Sequence, residues 1–214
     1  MCVEREHKFL VEDSFPEIAH LQDAYAARGL ELRLSTPRDQ TDVYYDTPEF
    51  TLLQAGAALR VRRYGDEVLA TYKTSGVVQG SLHVREEIEL PYSAPWPPKI
   101  LAKLAPLGVL ETLEPLVQLR TRRIRYLVYD APYKAQNPLA ELSLDDVSCS
   151  HGAKQMAFKE LELEAIPTLP DAAFSDLAAI LGTFGLSPHR GDKVSHALTL
   201  LGLWPRTQTV TRQL

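Results

Sequence analysis

Polar and apolar residues alternate with a period of two over eight stretches of this chain, the pattern of strands with one apolar and one polar face. "MCVEREHKFLV" is the first, and "LELRLSTPRDQTDVYYDT" is the second, interrupted near Pro37. "AALRVRRY" and "VLATYKTS" flank a hairpin turn at "GDE", and "SLHVREEIELP" is the fifth. The proline-rich "PYSAPWPPK" cannot belong to a central strand and divides the chain roughly in half. Beyond it "PLVQLRTRRIRYLVYD", "LAELSLDDVSCS" and "AFKELELEAI" are separated by the turn signals "KAQNP" and "HGAK".

Helical periodicity fills the gaps. "SFPEIAHLQDAYAARG" reads as an amphipathic helix with Ser14 at its N-cap, Pro16 and Glu17 in its first turn and Gly29 at its C-cap. "PEFTLLQAG" is a short helix ended by Gly56, and "ILAKLAPLG", "DAAFSDLAAILGTFG" and "DKVSHALTLLG" supply three more. The polar residues from Pro205 onward suit a frayed end. Short connections make the eight strands mostly antiparallel.

Counting by twos places two or three charges on one face of almost every long strand. The first strand aligns Glu4, Glu6 and Lys8; the third Arg60 and Arg62; the fourth carries Lys73; the fifth aligns Arg85, Glu87 and Glu89. The sixth aligns Arg123 and Arg125, the seventh offers Asp145, and the last aligns Glu160, Glu162 and Glu164. Opposite faces hold Val3, Phe9 and Val11, Leu59 and Val61, Val84 and Ile88, and Leu161, Leu163 and Ala165. Two carboxylates about 7 Å apart repel by about 2 kcal/mol at an effective dielectric near 20, so the acidic rows need a reason.

An antiparallel sheet wetted on one face is the simplest source of such alternation. Two features point elsewhere: acids gather on the first and last strands with arginine and lysine between, and helices are available to cover the apolar faces. Eight antiparallel strands can close into a barrel with room for one small ligand. The expected fold is therefore α+β, an eight-stranded antiparallel barrel or tunnel with a charged interior and helices packed on its outside.

The length of 214 residues and a 45% hydrophobic content suit one domain, expected over residues 1–203 with a flexible tail at 204–214. A formal charge of −5 invites neither nucleic acid nor an anionic membrane. Cys2 and Cys149 are too few for a disulfide framework, and no charged segment followed by an apolar run opens the chain, so a cytoplasmic protein is expected. His7, His20, His83, His151, His189 and His196 show no pair at zinc-ligand spacing. Ser195 beside His196 lacks the third group of a triad, and the glycines form no phosphate loop.

Glu4, Glu6 and Lys8 spell E-x-E-x-K, and this sequence resembles the CYTH domain family, also called triphosphate tunnel metalloenzymes. "VYYDTPEFTLLQAGAALRVRR" is similar to the family's Y-Y-D-T segment and L-R-x-R strand; "TYKT", "VREEIEL", "RTRRIRY", "LSLDDV" and "KELELEA" follow in family order. "GDKVSHALTL" resembles its late lysine segment, without the usual serine before and tyrosine after Lys193. The resemblance implies a tunnel that binds a triphosphate. Glu4, Glu6, Asp145, Glu160 and Glu162 would hold Mg2+ or Mn2+, as hard oxygen ligands suit. Lys8, Arg60, Arg62, Lys73, Arg85, Arg123, Arg125 and Lys193 would bind phosphoryl oxygens, and Glu87 would hold a second metal or orient water.

Implied activities are hydrolysis of inorganic triphosphate to pyrophosphate and phosphate, favoured because no base-reading pocket is evident, or of thiamine triphosphate. Alternatives are an adenylate cyclase making cyclic AMP from ATP, and a polyphosphate-binding module without turnover. The expected partner is the small triphosphate, with neither nucleic acid nor membrane; a homodimer is left open.

Overall fold

The computed structural model describes residues 2–74, 76–110, 112–130 and 137–204, excluding the side chain of Cys2. In chain order these form β1 (Cys2–Val11), α1 (Ile18–Ala26), β2 (Leu30–Leu34), β3 (Arg38–Asp46), α2 (Thr51–Gln54), β4 (Ala58–Tyr64) and β5 (Glu67–Lys73). Next come β6 (Val77–Gln79), β7 (Leu82–Pro91), α3 (Pro98–Leu104), β8 (Glu114–Asp130), β9 (Ala140–His151) and β10 (Lys154–Ala165). α4 (Asp171–Gly182), β11 (Ser187–Pro188) and α5 (Lys193–Leu200) complete the order. The expected tail from Pro205 and most of the "KAQNP" turn lie outside the described residues.

Eight of these strands close on themselves in the order β1-β10-β9-β8-β3-β4-β5-β7, with β1 pairing back onto β7. The ten residues of β1 make the closure possible. Its first part, from Cys2 to His7, pairs with β7, and its later part, from Glu6 to Val11, pairs with β10. Every pairing in the ring is antiparallel. Three short strands lie off the ring: β2 extends the sheet on β8, β6 on β7 and β11 on β1. β2 and β3 are the two halves of the strand expected to break near Pro37, and both pair with β8.

Two apolar clusters lie outside the barrel. Leu21 and Tyr25 of α1 and Phe174, Leu177 and Leu181 of α4 pack on Phe9, Leu142, Leu161 and Leu163, the residues that alternate with the inward charges. Leu52 of α2 and Ile100 and Leu104 of α3 cover Leu59, Ala70, Tyr72 and Ile88 in the same way. Burying a large aliphatic side chain contributes roughly 1.5–3 kcal/mol, so these faces hold the barrel in its inverted sense.

α5 departs from that arrangement. Its Val194, Ala197, Leu198 and Leu201 pack against Tyr44, Ala58, Val117, Leu119, Val147 and Cys149. Those strand residues share parity with Arg60, Arg123 and Asp145, so α5 fills one end of the barrel interior. The "LVQL" start of β8 is apolar on its inner face because a helix, not water, lies against it.

α1 begins later than expected. Glu17, not Ser14, occupies its N-cap position and makes no side-chain cap. Phe15 and Ile18 both pack on the core, which keeps the intervening Pro16 and Glu17 outside the helix. The Y-Y-D-T segment has a structural use: Asp46, 1% exposed, accepts hydrogen bonds from the N–H groups of Thr47, Leu52 and Leu53 and so holds the start of α2.

Candidate active site

Register converts the charged rows into one ionic wall. Across β8, β9 and β10, Arg123 lies opposite Asp145 and Asp145 opposite Glu160; Lys8 of β1 lies opposite Glu162. Cross-strand neighbours on one face are within ion-pair reach, and these pairs form. Arg123 Nε donates to Asp145 Oδ1 at 2.7 Å and Nη2 to Oδ2 at 2.6 Å, and Nη2 also meets Glu162. Lys193, from the first turn of α5, reaches across the interior: its Nζ lies 2.6 Å from Asp145, 3.1 Å from Glu160 and 3.0 Å from Glu162.

A second group forms beside the first. Glu4 accepts from Lys73 Nζ at 2.7 Å and from Arg85 Nε at 2.9 Å, while Arg85 Nη2 donates to Glu6 at 2.7 Å. Lys8 joins the two groups, 3.2 Å from Glu6 and 3.4 Å from Glu162. On the opposite side Arg62 grips Asp42 with two bonds of 2.7 and 2.8 Å. Arg125 pairs in the same forked manner with Glu141.

Arg60 differs from the other cations. Its nearest carboxylates, Glu87, Glu89 and Asp42, stand 3.7, 3.8 and 4.0 Å away, and its buried Nε has no partner among the described residues. Its donors are therefore uncommitted. Glu87 is similarly open, 3.5 Å from Lys73 and 3.7 Å from Arg60. All of these side chains except Asp42, Asp145 and Glu160, which are fully buried behind the wall, line a cavity of about 200 Å³. Of the twenty described residues lining it, only Tyr44, Ala58 and Val194 carry no formal charge.

The fields inside are strong. Burial alone would raise the carboxyl of Glu160, but Lys193 and Lys8 hold it down at about 2; Asp42, also buried, is held at about 2 by Arg62 and Arg60. Glu162 and Glu4 are pulled well below the ordinary carboxylate range despite their burial, Glu162 by Lys193, Lys8 and Arg123 and Glu4 chiefly by Lys73 and Arg85. Lys8 and Lys193 are raised: burial opposes their charge, and the neighbouring acids outweigh it. Glu164 goes the other way. Packing around it, with Glu4 and Glu6 opposite, pushes its carboxyl up, although its side chain still meets water.

Asp145, Glu160 and Glu162 present carboxylate oxygens all within 4.8 Å of one another, a donor set able to hold a metal ion. Glu160 Oε2 is buried and makes no hydrogen bond, its 3.1 Å approach to Lys193 being misaligned for one. An all-carboxylate set suits a hard divalent cation, which would take the central place that the Lys193 ammonium, within 3.1 Å of all three, holds here.

The CYTH domain family profile matches residues 3–193. This chain belongs to the CYTH domain family. The CYTH chain is 30% identical over 127 residues to the inorganic triphosphatase of Haemophilus influenzae, an alignment covering 58% of this chain and 35% of the relative. It thus spans about a third of the length of the curated relative it matches. A Hippeastrum protein described as a candidate adenylyl cyclase with a dominant triphosphatase activity superposes with a TM-score of 0.57 at 19% identity, covering 94% of this chain and 97% of that one. A candidate adenylate cyclase from Bacillus halodurans gives 0.57 at 21% identity, covering 92% and 98%. At these identities the two structures support the fold.

All the residues singled out from strand parity converge on the interior of this CYTH domain. Parity counting leaves out Arg38, Asp42, Glu141 and Asp192, and His189 is considered only as a zinc ligand. Asp42 and Arg38 precede Tyr44 by two and six residues on β3, and Glu141 precedes Asp145 by four on β9, so period two already carried them. Asp192 is the N-cap of α5, accepting from Ser195 N–H at 2.7 Å, and takes the place of the missing serine as a helix start. Of the paired tyrosines, Tyr44 lines the cavity and Tyr45 points outward onto Trp96, ring centroids 5.2 Å apart. Among the described residues no helix is long and apolar enough to cross a membrane.

Acid should unfold this protein through the same carboxylates. Depressed groups contribute stability that is complete above their unfolded pKa and is lost as pH falls through the folded one. For Glu160 and Asp42 that window runs from about 4.5 and 3.8, their ordinary values, down to about 2. Denaturant midpoints measured from pH 6 to pH 2 should fall through this window; a flat profile would contradict the pairing.

Proposed function

We propose that this protein hydrolyses inorganic triphosphate to pyrophosphate and phosphate with the help of Mg2+ or Mn2+. The observation carrying this reading is the cavity lining: apart from Tyr44, Ala58 and Val194, nothing among its described residues offers a nucleobase or a thiazole ring anything but charge. The similarity to an inorganic triphosphatase supports the same substrate.

The roles follow from what each side chain has free. Arg60, with donors uncommitted, grips phosphoryl oxygens as a fork. Lys8, Arg62, Lys73, Arg85, Arg123, Arg125 and Lys193 surround the remaining oxygens, and each already faces a carboxylate that fixes its position. Such pre-set cations cost no reorganisation as charge moves onto the leaving pyrophosphate. Glu87, without a close hydrogen bond, is placed to accept one from the attacking water and align it. α5 fills one end, so the anion has the other for entry. Asp145, Glu160 and Glu162 would hold the divalent cation, which when bound polarises phosphoryl oxygens and offsets developing charge; Glu4 and Glu6, in the neighbouring group joined to this one through Lys8, would complete or extend that metal site.

The deciding assay measures phosphate release from tripolyphosphate, thiamine triphosphate and ATP with Mg2+ or Mn2+, alongside cyclic AMP formation. Tripolyphosphate is expected to have the highest kcat/KM; cyclic AMP from ATP as the main product would overturn the reading. A ligand bound only by the folded state stabilises by about 2.7 kcal/mol at 100 times its Kd. For a domain of this size tripolyphosphate at that excess should raise Tm by about 5–10 °C. An unmoved Tm would mean that the cavity does not take the anion.

A further inference from the structure

His189 enters the site from behind, on the far side of Glu160. It is 6% exposed, and its ring Nδ1 lies 2.7 Å from Glu160 Oε1. An ionised carboxylate only accepts hydrogen bonds, so Nδ1 carries the hydrogen and donates. The ring is held from several directions. Its backbone N–H donates to Lys8 C=O at 2.9 Å, in line with the pairing of β11 on β1, and its C=O lies 2.7 Å from His83 Nε2. His196 meets the ring edge-on at 4.9 Å. Gly191 clears the remaining side: a Cβ there would stand 3.2 Å from His189 Nε2.

This packing gives the two oxygens of Glu160 different fates. Oε1 is tied to the histidine, and Oε2, buried and without a hydrogen bond, has the Lys193 ammonium 3.1 Å away, the same ammonium that meets Asp145 and Glu162, so a divalent cation would take the place that Nζ holds among the three carboxylates. We infer that His189 is a positioning residue that anchors Oε1 so that Oε2 is presented to the divalent cation. The inference rests on the metal-dependent reading above. Carboxylate ligands are commonly oriented by such a second partner, whose loss weakens metal binding by about 10- to 100-fold. His83 completes the chain of support by fixing the backbone from which the ring projects.

Mn2+ titration followed by electron paramagnetic resonance, with no substrate present, tests this. H189A is expected to raise the Mn2+ Kd at least about tenfold. H189N, whose amide N–H can stand where Nδ1–H stood, should restore the Kd to within about threefold; H189Q, whose amide lies one bond further out, should not. The Asn and Gln variants keep the comparison open should H189A fail to fold. A buried contact with only a structural role predicts lower Tm with an unchanged Kd, or equal Kd values for Asn and Gln, and either result overturns the inference. Wild-type protein that binds no Mn2+ overturns the metal reading itself and the inference with it, whereas wild-type binding kept in H189A overturns the inference alone.

Discussion

Glu162→Gln is expected to lower kcat on tripolyphosphate by about a thousandfold while leaving the protein folded, the upper range for removing one pre-set electrostatic group from an active site. Glu162 stands where the two acidic groups meet, 3.0 Å from Lys193 and 3.4 Å from Lys8, and it also contacts Arg123. Glutamine keeps the shape and removes the charge. Each of the three cations retains another carboxylate: Lys193 has Asp145 and Glu160, Lys8 has Glu6, and Arg123 has Asp145. No buried cation is stranded, so the large cost of breaking a buried pair is avoided and Tm should drop by only a few degrees. Steady-state kinetics beside a circular dichroism melt checks both halves. Unchanged turnover would remove Glu162 from the chemistry, and an unfolded variant would make it a structural residue first.

Arg60→Ala and Arg62→Ala should separate binding from stability. Arg60 holds no partner closer than 3.7 Å, so its loss costs the empty protein little. Two charge-assisted hydrogen bonds to phosphate at about 1.5–3 kcal/mol each would be lost, and at about 1.4 kcal/mol per tenfold KM should rise by at least a hundredfold. Arg62 is already committed to Asp42, which is 0% exposed, through bonds of 2.7 and 2.8 Å. Removing it leaves a buried carboxylate with Arg60 only at 4.0 Å, and stability should fall by about 3 kcal/mol with a smaller rise in KM. KM values and urea midpoints for the pair test the contrast. A rise in KM for Arg62→Ala equal to that for Arg60→Ala would show that both forks turn to the substrate.

Much of this site was legible in the alternation of residues. A strand's side chains point to opposite faces by covalent geometry, so Glu4, Glu6 and Lys8, or Glu160 and Glu162, had to share a face wherever the strand went. The segregation of acids from arginines then favoured an inward face over a wet one. His189 gave no such signal: it sits beside a two-residue strand, and its partner Glu160 is 29 residues away. Asp42 carried the right parity but sits in "DQTDVYYD", where two tyrosines and a buried helix-capping Asp46 are the more conspicuous features.

Local sequence by itself determined the strands, their two faces and the kinds of charge on each, because period-two alternation and turn chemistry are set within a few bonds. Tertiary structure alone decided which charges meet. Register places Arg123 against Asp145 and leaves Arg60 unsatisfied, β1 splits its pairing to close the ring, and α5 enters the barrel to bring Lys193 to three acids. Those choices depend on how apolar faces far apart in the chain pack together, and that free energy belongs to no single segment.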